Sequence, residues 1–256
     1  MNHRKVIISL IALLTAAALV IGLIVSGFFL GGGKTPAAHN TSASQSAQDS
    51  PSAQPSNEEN GAAEQKLSPE VIQVIDNQHR LIADDPRALG NLDAPVIIEM
   101  YSDYRCGHCR DWTLHTLPEL QSLLDEGKIR IEYNSMPVLG DDSVLIAQAS
   151  HAAASQHKFW EFHKELFANP PQPTKEALTA LAGSLGMDED AFAAEMVAEQ
   201  TVKDVTGERE HGVALGITGT PSFLIGYSFV PGALPADKFI DVINKELVRP
   251  DPHTEN

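Results

Sequence analysis

Cys106 and Cys109 are the only two cysteines of this 256-residue chain, and they lie three positions apart in Cys106-Gly107-His108-Cys109. An apolar stretch, Val96 to Tyr101, precedes them and a helical pattern follows. A Cys-x-x-Cys pair that opens a helix after a strand is suited to thiol–disulfide exchange. One thiolate attacks a disulfide, and the second thiol, a helical turn away, resolves the mixed disulfide. Cys106 is the expected attacker, because free N–H groups and the helix dipole at an N-terminus favour a thiolate. Its pKa should fall well below the ordinary thiol value of about 8.5. His108 and the flanking Arg105 and Arg110 can add positive potential. Cys109, deeper along the helix, is the expected resolving thiol. The blander readings are a structural disulfide or a buried inert pair. A zinc site is a further alternative, but two thiols and His108 fall short of four ligands, with His115 the nearest sequence candidate for a fourth. Metal binding is therefore not expected, and the exchange chemistry needs no cofactor. Glu99 sits inside the apolar strand. It is either buried, with a raised pKa, or turned to solvent at a strand edge.

The elements that must position these residues can be read from periodicity. Val96 to Tyr101 is nearly continuous in apolar residues, which predicts a central strand. A helix should start near Cys106, with Leu114, Leu117, Leu120 and Leu124 on one face, a kink or restart at Pro118 and a stop at Gly127. Ile129 to Tyr133 alternates and predicts a second strand. From Asp141 to about Gly212 the pattern is helical throughout, with Asp141-Asp142-Ser143, Thr174 and Asp188 as caps. Two short strands, Ser222 to Ile225 and Tyr227 to Val230, and a helix from Pro235 to Leu247 complete the order. Ser68-Pro69-Glu70 marks an earlier helix start. A right-handed βαβ unit and a terminal ββα unit can share one sheet, with the helical block inserted between them. The aromatic residues Trp112, Phe159, Trp160 and Phe162 read as core rather than as substrate contacts.

The rest of the chain is of a different kind. Residues 1–5 are a short basic N-terminus, and Val6 to Leu30 carries no charge and is long enough to span a bilayer as a helix. Arg4 and Lys5 place the N-terminus in the cytoplasm and the remainder outside. The run is too long for the apolar region of a cleaved signal peptide, so an uncleaved single-pass anchor is expected. Residues 31–66 lack large apolar side chains and predict a disordered tether. Residues 67–250 form the one folded domain, with the helical insertion at about 141–212 and a short tail at 251–256. The formal charge of −16 belongs wholly to the part after residue 66, which disfavours nucleic acid and anionic lipid surfaces. An extracytoplasmic domain also sits where disulfides persist.

Four stretches together carry a family resemblance: Asp93-Ala94-Pro95 before the strand, Tyr101-Ser102-Asp103-Tyr104 leading into Cys106-Gly107-His108-Cys109, Lys158-Phe159-Trp160-Glu161-Phe162-His163 in the insertion, and Gly216-Ile217-Thr218-Gly219-Thr220-Pro221-Ser222-Phe223. Over nearly all of 67–247 the chain resembles a DsbA-like member of the thioredoxin superfamily. The resemblance implies an α/β thioredoxin fold, a central mixed sheet flanked by helices, with an inserted helical domain. It implies a cis Thr220–Pro221 bond facing the cysteines, whose exposed Thr220 backbone pairs with an extended substrate. It further implies a buried acid near Glu99 that carries protons for the inner cysteine, exported proteins with cysteines as substrates, and a quinone-linked membrane partner that re-oxidises the pair. Gly107 departs from the family, where proline is commoner. Gly-His is the pair of eukaryotic disulfide isomerases, so two directions stay open: oxidase, or isomerase and reductase. A metal chaperone or a redox-inactive binding module is the reading from another class.

Overall fold

The computed structural model describes residues 67–254. The expected anchor at 6–30 and tether at 31–66 lie outside the described residues. Among the described residues no helix is long and apolar enough to cross a membrane.

The first helix, α1 (Pro69–Asp76), starts as its sequence dictates. Ser68 accepts a hydrogen bond from the Val71 N–H at 3.4 Å, and Pro69 fills the first turn, where an N–H is not needed. A two-residue strand, β1 (Ala88–Leu89), follows within a stretch that reads as irregular. The central strand β2 (Val96–Ser102) is buried at all seven positions, as its continuous apolar run requires. It pairs in parallel with β3 (Ile129–Ser135), from Val96↔Ile129 to Ser102↔Ser135. On its other side it pairs antiparallel with β4 (Ser222–Ile225), which pairs antiparallel with β5 (Ser228–Pro231). The sheet order is β1-β3-β2-β4-β5.

The helix after Cys106 is not one regular helix. It begins as α2 (Gly107–Asp111), widens into a π turn at Trp112–Thr116, tightens to a 3-10 turn at Leu117–Leu120, and ends as α3 (Gln121–Asp125). Pro118 explains the departure. It has no N–H to give, and the Leu117 N–H just before it reaches back five residues to the Trp112 carbonyl.

The helical insertion comprises α4 (Asp141–Ser155), α5 (Phe159–Ala168), α6 (Lys175–Ser184), α7 (Glu189–Met196) and α8 (Glu199–Ala214). Thr174 and Asp188 cap α6 and α7 through the N–H groups of Ala177 and Ala191. The first of these helices starts earlier than its acidic cap suggests: Gly140, at φ 104°, is the N-cap, and Asp141 and Asp142 occupy the first turn. The last helix, α9 (Ala236–Leu247), follows β5.

Strand alternation divides the sheet into two unlike faces. On one, Ile98, Met100, Ile131, Tyr133 and Phe223 share a core with Trp112, Phe239 and the insertion residues Phe159, Phe162 and Phe192. Trp112, Phe159 and Phe162 are thus core residues, and Trp160 is half-buried with its indole N–H on the Ala88 carbonyl. On the other face Glu99, Arg130, Glu132 and Asn134 form a buried polar layer. Arg130 Nε donates to Glu132 Oε1 at 2.6 Å, and Arg80, just after α1, gives its backbone N–H to Glu132 Oε2 at 2.7 Å.

Candidate active site

The Asp103–Cys106 turn joins the end of β2 to α2. Its Cys106 N–H bonds the Asp103 carbonyl, and Cys106 takes an extended conformation as the N-cap of α2. That placement aims the backbone N–H groups of His108 and Cys109 at the Cys106 sulfur. Cys106 is half-buried and Cys109 fully buried, and both are free thiols.

The two sulfurs are held in opposite states. Hydrogen bonding from Cys109 is the largest cause that brings the Cys106 pKa down to about 5. Burial opposes it, and the Thr220 side chain and the two backbone N–H groups add to it. Burial, the largest cause for Cys109, pushes that thiol far up. The resting pair is therefore a Cys106 thiolate beside a Cys109 thiol. As a thiol, Cys106 donates instead to the Thr220 carbonyl at 3.2 Å. The Thr220–Pro221 bond is cis, and the contact of Cys106 with the Thr220 carbonyl places the loop before β4 opposite that sulfur.

The sequence-predicted residues do not all converge on this point. Cys106, Cys109, Thr220 and Pro221 do. His108 is exposed, and its backbone N–H is what reaches Cys106. The Arg105 guanidinium lies 3.7 Å from Asp142, and Arg110 Nε donates to the Phe167 carbonyl at 2.7 Å. Neither charge is among the largest causes of the lowered Cys106 pKa. A side chain at Gly107 would meet nothing within 4 Å, so the fold permits that position to vary.

Of the two settings open for Glu99, the structure shows the buried one, and burial is the chief cause of its raised pKa. Yet it lies on the polar face of the sheet, where Asn134 donates to it at 2.7 Å and His79 Nδ1 lies at 3.2 Å. The cysteine face of β2 presents Met100 and Ile98 instead. A side chain one strand position away points to the opposite side, so Glu99 is not delivered to Cys109.

Asp103 is the functional residue that sequence reasoning missed. It is buried, and its two carboxylate oxygens take four hydrogen bonds. Arg105 N–H and Ser143 Oγ donate to Oδ1 at 2.7 Å each, and the N–H groups of Val138 and Leu139 donate to Oδ2 at 2.8 and 3.0 Å. It thus ties the cysteine turn to the start of the insertion. A second tie runs through His163 on α5, which lies 3.0 Å from Tyr104 Oη and 3.4 Å from Thr113 Oγ1. Burial brings the His163 pKa down to about 3, so this histidine is a neutral bridge. The signal for Asp103 was an acid directly ahead of the cysteines. Three of its four partners, 35 to 40 positions downstream, carry no local mark.

A five-stranded mixed sheet, a helix opened by Cys-x-x-Cys and a facing cis-proline loop define a thiol–disulfide oxidoreductase on a thioredoxin fold. The family model described as thioredoxin matches residues 83–245, and the chain belongs to that family. Among proteins similar to it is the probable disulfide bond formation protein D of Bacillus cereus, 30% identical over 171 residues, 63% of this chain and 78% of that protein. The disulfide bond formation protein D of Bacillus subtilis is 26% identical over 168 residues, 62% of this chain and 76% of that one. The crystal structure of oxidised BdbD from Bacillus subtilis superposes with a TM-score of 0.59 at 25% identity, covering 63% of this chain and 92% of that one.

Proposed function

We propose that this oxidoreductase works chiefly as an oxidase, passing the Cys106–Cys109 disulfide to exported proteins that carry cysteines. The observation that carries the direction is the thiolate: Cys106 with a pKa near 5 stabilises the reduced enzyme. A dithiol whose reduced form is favoured has a disulfide that readily oxidises others. An extended substrate lies along the Thr220 backbone, opposite the half-buried Cys106 sulfur, and its thiolate attacks that sulfur. Cys109 is the leaving group, and a second substrate thiolate then releases the product disulfide and the Cys106 thiolate. The names of the Bacillus relatives support this reading. The uncharged run at Val6–Leu30 supports an anchored, extracytoplasmic setting. A quinone-linked membrane protein then re-oxidises the pair. Gly107 favours the second reading, isomerase or reductase chemistry with the same two cysteines.

The test is covalent trapping in intact cells. Cys109→Ser should accumulate mixed disulfides with exported, cysteine-bearing proteins, and Cys106→Ser should accumulate none. Trapping by Cys106→Ser alone reverses the assignment of roles. Trapping confined to proteins that already hold several disulfides favours the isomerase reading.

A further inference from the structure

Ser102 closes β2 and is 1% exposed. Strand alternation turns its side chain to the face of Ile98 and Met100, the core in which Cys109 is packed. Its Oγ has no hydrogen-bond partner. Only Arg80 Nη2 and Trp112 Nε1 share that condition among the buried side-chain atoms of the described residues. Two other buried serines find a carbonyl: Ser150 Oγ donates to Ala147 O and Ser222 Oγ to Gly219 O, at 2.8 and 2.7 Å. Ser102 stands instead beside the Cys109 sulfur. Burial and the neighbouring Cys106 oppose ionisation of that sulfur, while the Asp103 N–H and the Ser102 side chain favour it. No carboxylate shares the position, since Glu99 lies across the sheet. The hydroxyl therefore has no strong acceptor beside the resting thiol, and gains one when Cys109 carries charge.

We propose that Ser102 Oγ–H, together with the Asp103 N–H, forms a two-donor pocket that receives the Cys109 thiolate during exchange. The step balances as follows. A substrate thiolate bonds to the Cys106 sulfur, the Cys106–Cys109 bond breaks, and its electron pair leaves on Cys109. The two donors hold that charge. Cys109 then takes the proton of the substrate's second thiol, which attacks the first substrate sulfur and expels the Cys106 thiolate. An interaction formed only as charge develops lowers the barrier without stabilising a resting state. The proposal rests on exchange through this pair and is independent of which direction predominates.

The test compares wild type with Ser102→Ala, using a dithiol peptide as reductant of the oxidised enzyme. Loss of a hydrogen bond to a charged group should slow formation of the mixed disulfide by about tenfold or more. The reverse rate should fall by the same factor, so the equilibrium potential stays at the wild-type value. The Cys106 thiolate titration, read by ultraviolet absorbance, should not move. Ser102→Thr, which keeps the hydroxyl, should exchange at near the wild-type rate. If S102A does not fold, Ser102→Gly is measured in the same way. An unchanged rate in the hydroxyl-free variant overturns the proposal. So does a rate loss accompanied by a shifted Cys106 titration, which would make Ser102 a general support of the turn. The wild-type potential separately reports whether the oxidase reading holds.

Discussion

Two sulfurs a single helical turn apart are held in opposite protonation states because one caps the helix at the surface and the other is buried beneath it. This asymmetry has a pH signature. An unfolded chain ionises Cys106 near 8.5, whereas the folded reduced enzyme does so near about 5. Between these values the folded state binds fewer protons, so the reduced form gains stability as pH rises. The oxidised enzyme has no thiol to titrate. The contribution of Cys106 to the stability of the reduced form should therefore be fullest near pH 8.5, shrink as pH falls toward 5, and vanish below it, changing the difference from the oxidised form accordingly. Denaturant melts of both forms across that range check this, and a pH-independent difference contradicts it. Glu99 gives a second prediction at this scale. Because it faces away from the cysteines, Glu99→Gln should leave both the exchange rate and the Cys106 titration at wild-type values. A slower resolving step in E99Q would show that its charge reaches Cys109 through the sheet.

At the scale of elements, Asp103 is the joint between the cysteine turn and the insertion. Asp103→Asn keeps one oxygen and turns an NH2 group toward two N–H donors. Leaving these two part-buried N–H donors unpaired should cost about 1–3 kcal/mol, read as a lower denaturant midpoint at unchanged slope. A cost below about 0.5 kcal/mol, the range of ordinary surface changes, would contradict the joint. The same residue marks the limit of what the sequence reveals. The strands β2 and β3, the caps at Ser68, Thr174 and Asp188, and the helix opened by Cys106 are legible because each is written in neighbouring residues. The four bonds of Asp103 are not, because two come from Val138 and Leu139 and one from Ser143, distant in sequence. The side of the sheet taken by Glu99 is hidden for a different reason. A strand buried on both faces shows no polar–apolar alternation, so nothing local assigns a face. The two residues of β1 are too few to carry a periodic signal, and the π turn depends on how the chain absorbs Pro118.

On the scale of the whole molecule, the sheet separates its two tasks. One face carries the apolar core that buries Cys109, the helix it sits on and the insertion above it. The other is locked by Arg80, Arg130, Glu132, Glu99 and Asn134. The fold class and the insertion were legible from the order of elements, and the cysteine pair from its spacing. The direction of electron flow is a property of the assembled site, since it depends on Cys109, Thr220 and two backbone N–H groups acting on one sulfur. The most direct measurement is therefore the equilibrium of the Cys106–Cys109 pair with a glutathione buffer at pH 7. The potential should lie well above that of glutathione-level dithiols, toward the strongly oxidising end at about −120 mV. A potential near about −270 mV, that of a reducing thioredoxin, would contradict it.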